Sequence, residues 1–174
     1  MNDNFEQALA TVLRSEGGYV NNKADPGGMT NLGVTKRTYE QYVGHPVDED
    51  TMRGLTPELV EPLYKKMYWD AIRGDSLPDG VDYCVFDCAV NSGPGRAAKF
   101  LQEIVGVKPD GGIGPITLAA VKARTITPED TKALITAFCN KRIQFWESLP
   151  TFATFGKGWT RRGNEVKEAA LAMV

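Results

Sequence analysis

Residues 15–35 read SEGGYVNNKADPGGMTNLGVT and set an acid, a second acid and hydroxyl residues around glycine-rich turns. Ahead of it, Phe5, Ala8, Leu9, Val12 and Leu13 recur at helical spacing, with Asp3 and Glu6 placed to cap the helix start. Gly17 and Gly18 end that helix. Glu16 therefore falls in the last turn, where exposed carbonyls carry partial negative charge and favour a protonated acid. Asp25 lies in an irregular segment in which Pro26, Gly27 and Gly28 supply a turn, and residues 29–34 are long enough for only a short hairpin. A loop carboxylate open to water stays ionised.

Two carboxyl groups in unlike environments are what glycoside hydrolysis requires. One protonates the leaving oxygen, and the other stabilises an oxocarbenium-like transition state or activates water. Thr30 or Thr35 could orient that water. The motifs E-G-G-Y (16–19), D-P-G-G (25–28) and T-N-L-G-V-T (30–35) resemble the signature of glycosyl hydrolase family 108, the phage-type N-acetylmuramidases or endolysins. The order Glu16, Asp25, Thr30 is also similar to the catalytic triad of the small phage lysozymes of the T-even type.

The resemblance implies a mainly α, lysozyme-like helical domain with one small β-hairpin. It makes Glu16 the proton donor, Asp25 the stabilising or water-activating carboxylate, and Thr30 or Thr35 its helper. The implied reaction is hydrolysis of the β-1,4 bond between N-acetylmuramic acid and N-acetylglucosamine in peptidoglycan, in the setting of phage host-cell lysis. A lytic transglycosylase and a non-catalytic peptidoglycan-binding module are the alternatives.

A chain of 174 residues with 42% hydrophobic content fits one domain with an ordinary core. A formal net charge of −2 gives no broad basic field, which argues against nucleic acid as a partner. No P-loop lysine or paired Cys/His zinc pattern is present, so neither metal nor cofactor is expected. His45, between Gly44 and Pro46, reads as a surface loop residue. Cys84, Cys88 and Cys139 make no complete disulfide framework and are expected to pack as small apolar groups, although a bridge to Cys139 stays open. No basic start followed by an apolar run occurs, and no stretch of about 20 apolar residues. Neither a signal peptide nor a membrane span is expected. A monomer made in the host bacterial cytoplasm would then need a holin or export machinery to reach the cell wall in the periplasm.

Downstream, Thr35 can cap a helix that Gly44 and Pro46 terminate, and Thr56 with Pro57 opens another, which Pro62 should kink or delay. Val81, Cys84, Val85, Cys88 and Ala89 form a continuous apolar stripe, the mark of the most buried helix. The segment FDCAVNSGPGRAAKFLQ (86–102) that contains its end is family-like and makes Asn91 a candidate substrate contact. VKPDGGIGPITLAAVKA (107–123) resembles the core of small peptidoglycan-binding repeats, to be read either as wall binding or as fixing a turn between core helices. Thr127 and Pro128 start a long helix with Leu134, Ile135, Phe138 and Trp146 inward, and Lys141 and Arg142 outward.

In F-G-K-G-W-x-x-R (155–162), also family-like, Trp159 and Arg162 could wall a cleft opposite Glu16, since sugar faces stack on aromatic rings and arginine pairs with carboxylates. Tyr19 and Asn31, within the opening motif, complete the candidate substrate contacts. Residues 1–80 form the motif-bearing lobe and 81–174 a helical half that is not independent, together one lysozyme-like domain.

Overall fold

Hydroxyl and carboxylate side chains set the helix starts through much of this chain. The computed structural model describes residues 2–21 and 28–174, and the chain divides into two compact units: Glu6–Met67, and Met1–Phe5 together with Tyr68–Val174. The architecture is mainly α, with one small antiparallel sheet.

In the first unit, helix α1 (Asn2–Ser15) buries Ala8, Leu9 and Val12. Its start at Asn2 leaves Asp3 inside the first turn and not at the cap position. Strands β1 (Val20–Asn21), β2 (Met29–Asn31) and β3 (Val34–Thr35) form a sheet in that order, all antiparallel. The β2–β3 pair is the expected hairpin. A two-residue strand such as β1 has no periodicity to read, and it extends the hairpin by one strand.

Helix α2 (Lys36–Val43) starts at Thr35, whose hydroxyl accepts from the Thr38 amide at 3.1 Å, and stops at Gly44 with φ 83°. The five-residue α3 (Glu49–Arg53) begins on Asp48, whose carboxylate accepts from the Thr51 amide at 2.8 Å. Thr56 and Pro57 open α4 (Pro57–Tyr64), which runs through Pro62 without a delayed start. Beyond Pro62 the backbone widens into a π-type turn over Lys65–Trp69, a local adjustment expected where proline removes an N–H from the helical ladder.

The second unit is built around α5 (Val81–Ser92), in which every residue of 81–89 is buried. It packs against α6 (Pro94–Val105), α8 (Pro128–Glu147) and α9 (Phe152–Ala172), and α7 (Pro115–Ala123) packs on α6. Phe5, Trp69 and Phe86 meet at ring-centroid distances of 5.3–5.9 Å. The three cysteines are free and buried, and Thr127 and Asp130 form a reciprocal cap at the start of α8.

Two expectations for this unit are resolved by side-chain partners. Arg142, expected outward, is only 1% exposed, because Nη1 is ion-paired with the buried Asp87 of α5 and its guanidinium lies 4.6 Å from the Trp146 ring centroid. A cation is tolerated in a core when it is paired and hydrogen-bonded. In the repeat-like turn before α7, buried Gln102 reaches Asp110 at 2.9 Å, the Gly112 carbonyl at 3.0 Å and Thr117 at 3.1 Å through Nε2, and accepts from the Gly111 amide at 2.9 Å. These bonds hold the turn between α6 and α7 in place.

Candidate active site

Glu16 follows α1 directly, half-buried, with its amide donating back to the Leu13 carbonyl at 3.2 Å. The next carbonyl, Gly17, accepts from the Leu32 amide at 3.1 Å. That bond ties the end of α1 to the hairpin tip, where Leu32 (φ 53°) and Gly33 (φ 76°) form a two-residue turn with both φ angles positive. Such a turn matches the twist of the flanking strands. A leucine held in this region costs on the order of 1 kcal/mol.

Gly33 is where the glutamate and its support converge. A methyl group in place of its α-hydrogen would lie 2.7 Å from the Tyr64 hydroxyl oxygen and 2.9 Å from Glu16 Cγ. Tyr64, 1% exposed and carried by α4, donates to the Leu32 carbonyl at 2.7 Å. Glu16 thus packs on a hairpin turn whose Leu32 carbonyl is held by a buried tyrosine. The sequence places Gly33 in the expected hairpin and Tyr64 beside an apolar helix stripe, but not next to each other or to Glu16.

The remaining motif residues take distinct places. Thr30 and Thr35 are cross-strand partners on β2 and β3, with Val20 opposite Thr30 on β1. Side chains alternate along a strand, so these three share the face opposite Asn31. The Thr35 hydroxyl is engaged in the α2 cap, accepting from the Thr38 amide and lying 2.9 Å from the Thr38 hydroxyl. Asn31, considered as a substrate contact, is 6% exposed and donates to the Met52 carbonyl at 2.9 Å, so its amide braces the end of α3. Tyr19 donates to Glu49 at 2.9 Å and lies under the Arg53 guanidinium, 4.6 Å from its ring centroid. Partial desolvation and then the bond to Glu49 raise the Tyr19 phenol above its ordinary value, and the Glu49 bond raises Arg53. Asp25 lies outside the described residues.

In the second unit, Asn91 is exposed at the end of α5 and accepts from the Ser92 hydroxyl at 3.3 Å. Trp159 is half-buried between Trp146 and Phe155, with ring centroids 6.2 and 5.7 Å away. Arg162, considered as a carboxylate-binding group, bonds Asp87 at 3.2 Å and so belongs to the buried cluster of Asp87 and Arg142. Among the described residues no group of three or more His, Cys, Asp or Glu side chains could hold a metal ion.

Comparisons with known proteins bear on the same elements. The family model described as Glycosyl hydrolase 108 matches residues 9–93, and the model described as Predicted Peptidoglycan domain matches residues 96–164. The solved structure of Brucella abortus SagA is 41% identical over 99% of this chain and 97% of its own, with a TM-score of 0.88. No curated protein matches.

A lysozyme-like helical fold with these two family matches defines a glycoside hydrolase that acts on peptidoglycan. The chain belongs to glycosyl hydrolase family 108. Among the described residues, no helix is long and apolar enough to cross a membrane.

Proposed function

We propose that the chain is an N-acetylmuramidase that cleaves the β-1,4 bond between N-acetylmuramic acid and N-acetylglucosamine, with Glu16 as proton donor. The observation that carries this reading is the packing of Glu16 against the Gly33 turn. A general acid must be held within hydrogen-bond reach of the glycosidic oxygen, and a carboxyl group on a pinned helix end meets that need better than one on a mobile chain. Asp25 is the second carboxylate, which stabilises the oxocarbenium-like transition state or activates water. Thr30, on the sheet face shared with Val20 and Thr35, is the helper, and Thr35 serves that face chiefly by anchoring α2.

The enzyme acts as a monomer on the cell wall, in phage host-cell lysis, after release by a holin or an export machinery. Mass spectrometry of borohydride-reduced fragments from purified peptidoglycan tests the reaction. Muramitol ends are the expected product. Anhydro-sugar ends would replace hydrolysis by transglycosylation, and reduced glucosaminitol ends would move the cut to the other glycosidic bond.

A further inference from the structure

Helix α9 carries three glycines, and packing accounts for two of them. A methyl group on Gly156 would lie 2.7 Å from the Phe152 ring, and one on Gly163 would lie 2.9 Å from the Trp146 ring. Gly158 is different: among the described residues no atom lies within 4 Å of the position its side chain would take. A glycine inside a helix costs about 1 kcal/mol relative to alanine. Among the described residues, no packing contact requires that cost.

Gly158 lies on the same face of α9 as Phe155 and Arg162, by helical spacing, with Arg161 three residues beyond it. The rings there form a series from interior to solvent. Trp146 is 3% exposed, Trp159 is half-buried, and Phe155, stacked on Trp159 at 27°, is 53% exposed. Trp159 is flanked by two rings, so the aromatic surface that this series offers to a ligand is that of Phe155. Residues 148–164 include Lys157, Arg161 and Arg162 and no acid, with Glu147 and Glu165 at the two ends of the segment. Arg162 is committed to Asp87, whereas Lys157 and Arg161 are exposed.

We propose that Phe155, Gly158 and Arg161 form a glycan subsite on the exposed side of α9. An N-acetylated sugar of the peptidoglycan strand lies with its C–H face on Phe155, over the bare backbone at Gly158, and Arg161 pairs with the carboxylates of the lactyl group or its peptide. Ring stacking buries apolar sugar surface, and a charge-assisted bond to a carboxylate adds orientation. The residues lie within the stretch matched by the peptidoglycan-domain model, and the subsite rests on the peptidoglycan-hydrolase reading above.

The test compares the parent, Phe155→Ala and Gly158→Leu in steady-state hydrolysis of soluble, uncross-linked peptidoglycan strands, with a thermal melt of each. Both substitutions are expected to raise KM about tenfold and leave kcat within about twofold, the signature of lost uniform binding. Gly158→Leu meets no atom of the described residues and removes a helix-breaking residue, so it is expected to melt no lower than the parent. An unchanged KM in Gly158→Leu would overturn the subsite even if Phe155→Ala melted early. A parent that released no reducing ends would overturn the hydrolase reading itself.

Discussion

The Tyr64 hydroxyl donates to the Leu32 carbonyl at 2.7 Å, and so braces a leucine whose φ of 53° is sterically unfavourable. The next residue, Gly33, touches Glu16, which makes this bond part of the support of the proposed acid. Tyr64→Phe is predicted to cost about 0.5–1.5 kcal/mol of stability, the range for a lost internal hydrogen bond. Turnover should fall further than the folded fraction does, because the turn beneath Glu16 loosens. Urea denaturation and kcat on the same preparations check this, and an unaltered kcat would detach the brace from catalysis.

The paired threonines separate cap from helper. Thr35→Ala is predicted to lose about 0.5–2 kcal/mol through the missing N-cap, with Thr35→Asp restoring most of it. Thr30→Ala is predicted to leave the melting temperature nearly unchanged and to lower kcat. Melting curves and initial rates for the three variants are the measurement, and a Thr30→Ala enzyme with the parent's kcat would remove Thr30 from the mechanism.

These residues show what a one-dimensional reading reaches. The caps at Thr35, Thr56 and Thr127 were legible, because a cap and the amide it binds lie within three residues of each other. So was the deep burial of α5, from its unbroken apolar stripe. Helix α3 was missed, although Asp48 followed by two acids is a start signal, because five residues are too few to show a period. Partner choice across the chain was not legible at all. Arg162 stands out as a candidate substrate group, and its bond to Asp87, 75 residues away in sequence, leaves no trace there. Asn31 is likewise a polar motif residue until Met52 accepts from it. The convergence of Glu16, Gly33 and Tyr64 joins three segments whose spacing carries no period.

The buried carboxylate of Asp87 meets both Arg142 and Arg162. Removing it in Asp87→Ala leaves the buried Arg142 guanidinium without its counter-charge, and a loss of about 3–5 kcal/mol is predicted. Arg162→Ala should cost clearly less, because Arg162 is 21% exposed and Asp87 keeps Arg142. Equilibrium unfolding of the two variants checks the ranking; equal losses would contradict it.

Asp82 supplies a pH dependence. It is 3% exposed and accepts from the Gly80 and Tyr83 amides at 3.0 and 2.7 Å and from the Asn4 side chain at 3.0 Å. Burial dominates these bonds and raises its carboxyl from 3.8 to about 6. The folded chain therefore holds this proton more tightly than the unfolded chain. Its contribution to stability is full below the unfolded value and is lost as pH rises toward about 6. Asp82→Asn cannot titrate, so the parent's melting temperature, measured relative to the variant, is predicted to fall between pH 4 and 6 and to level off above. A constant difference across that range would refute the assignment.

The central claim is that Glu16 delivers the proton to the glycosidic oxygen. The most direct measurement is the rate of reducing-end release from purified peptidoglycan by Glu16→Gln beside the parent, with circular dichroism and melting on both. Glutamine keeps the shape that packs on Gly33 and removes the transferable proton. The predicted result is a folded variant with the parent's melting temperature and a rate at least about a hundredfold lower, the minimum usually ascribed to a general acid. A folded variant that retained more than about a tenth of the parent's rate, a barrier change under about 1.4 kcal/mol, would contradict it.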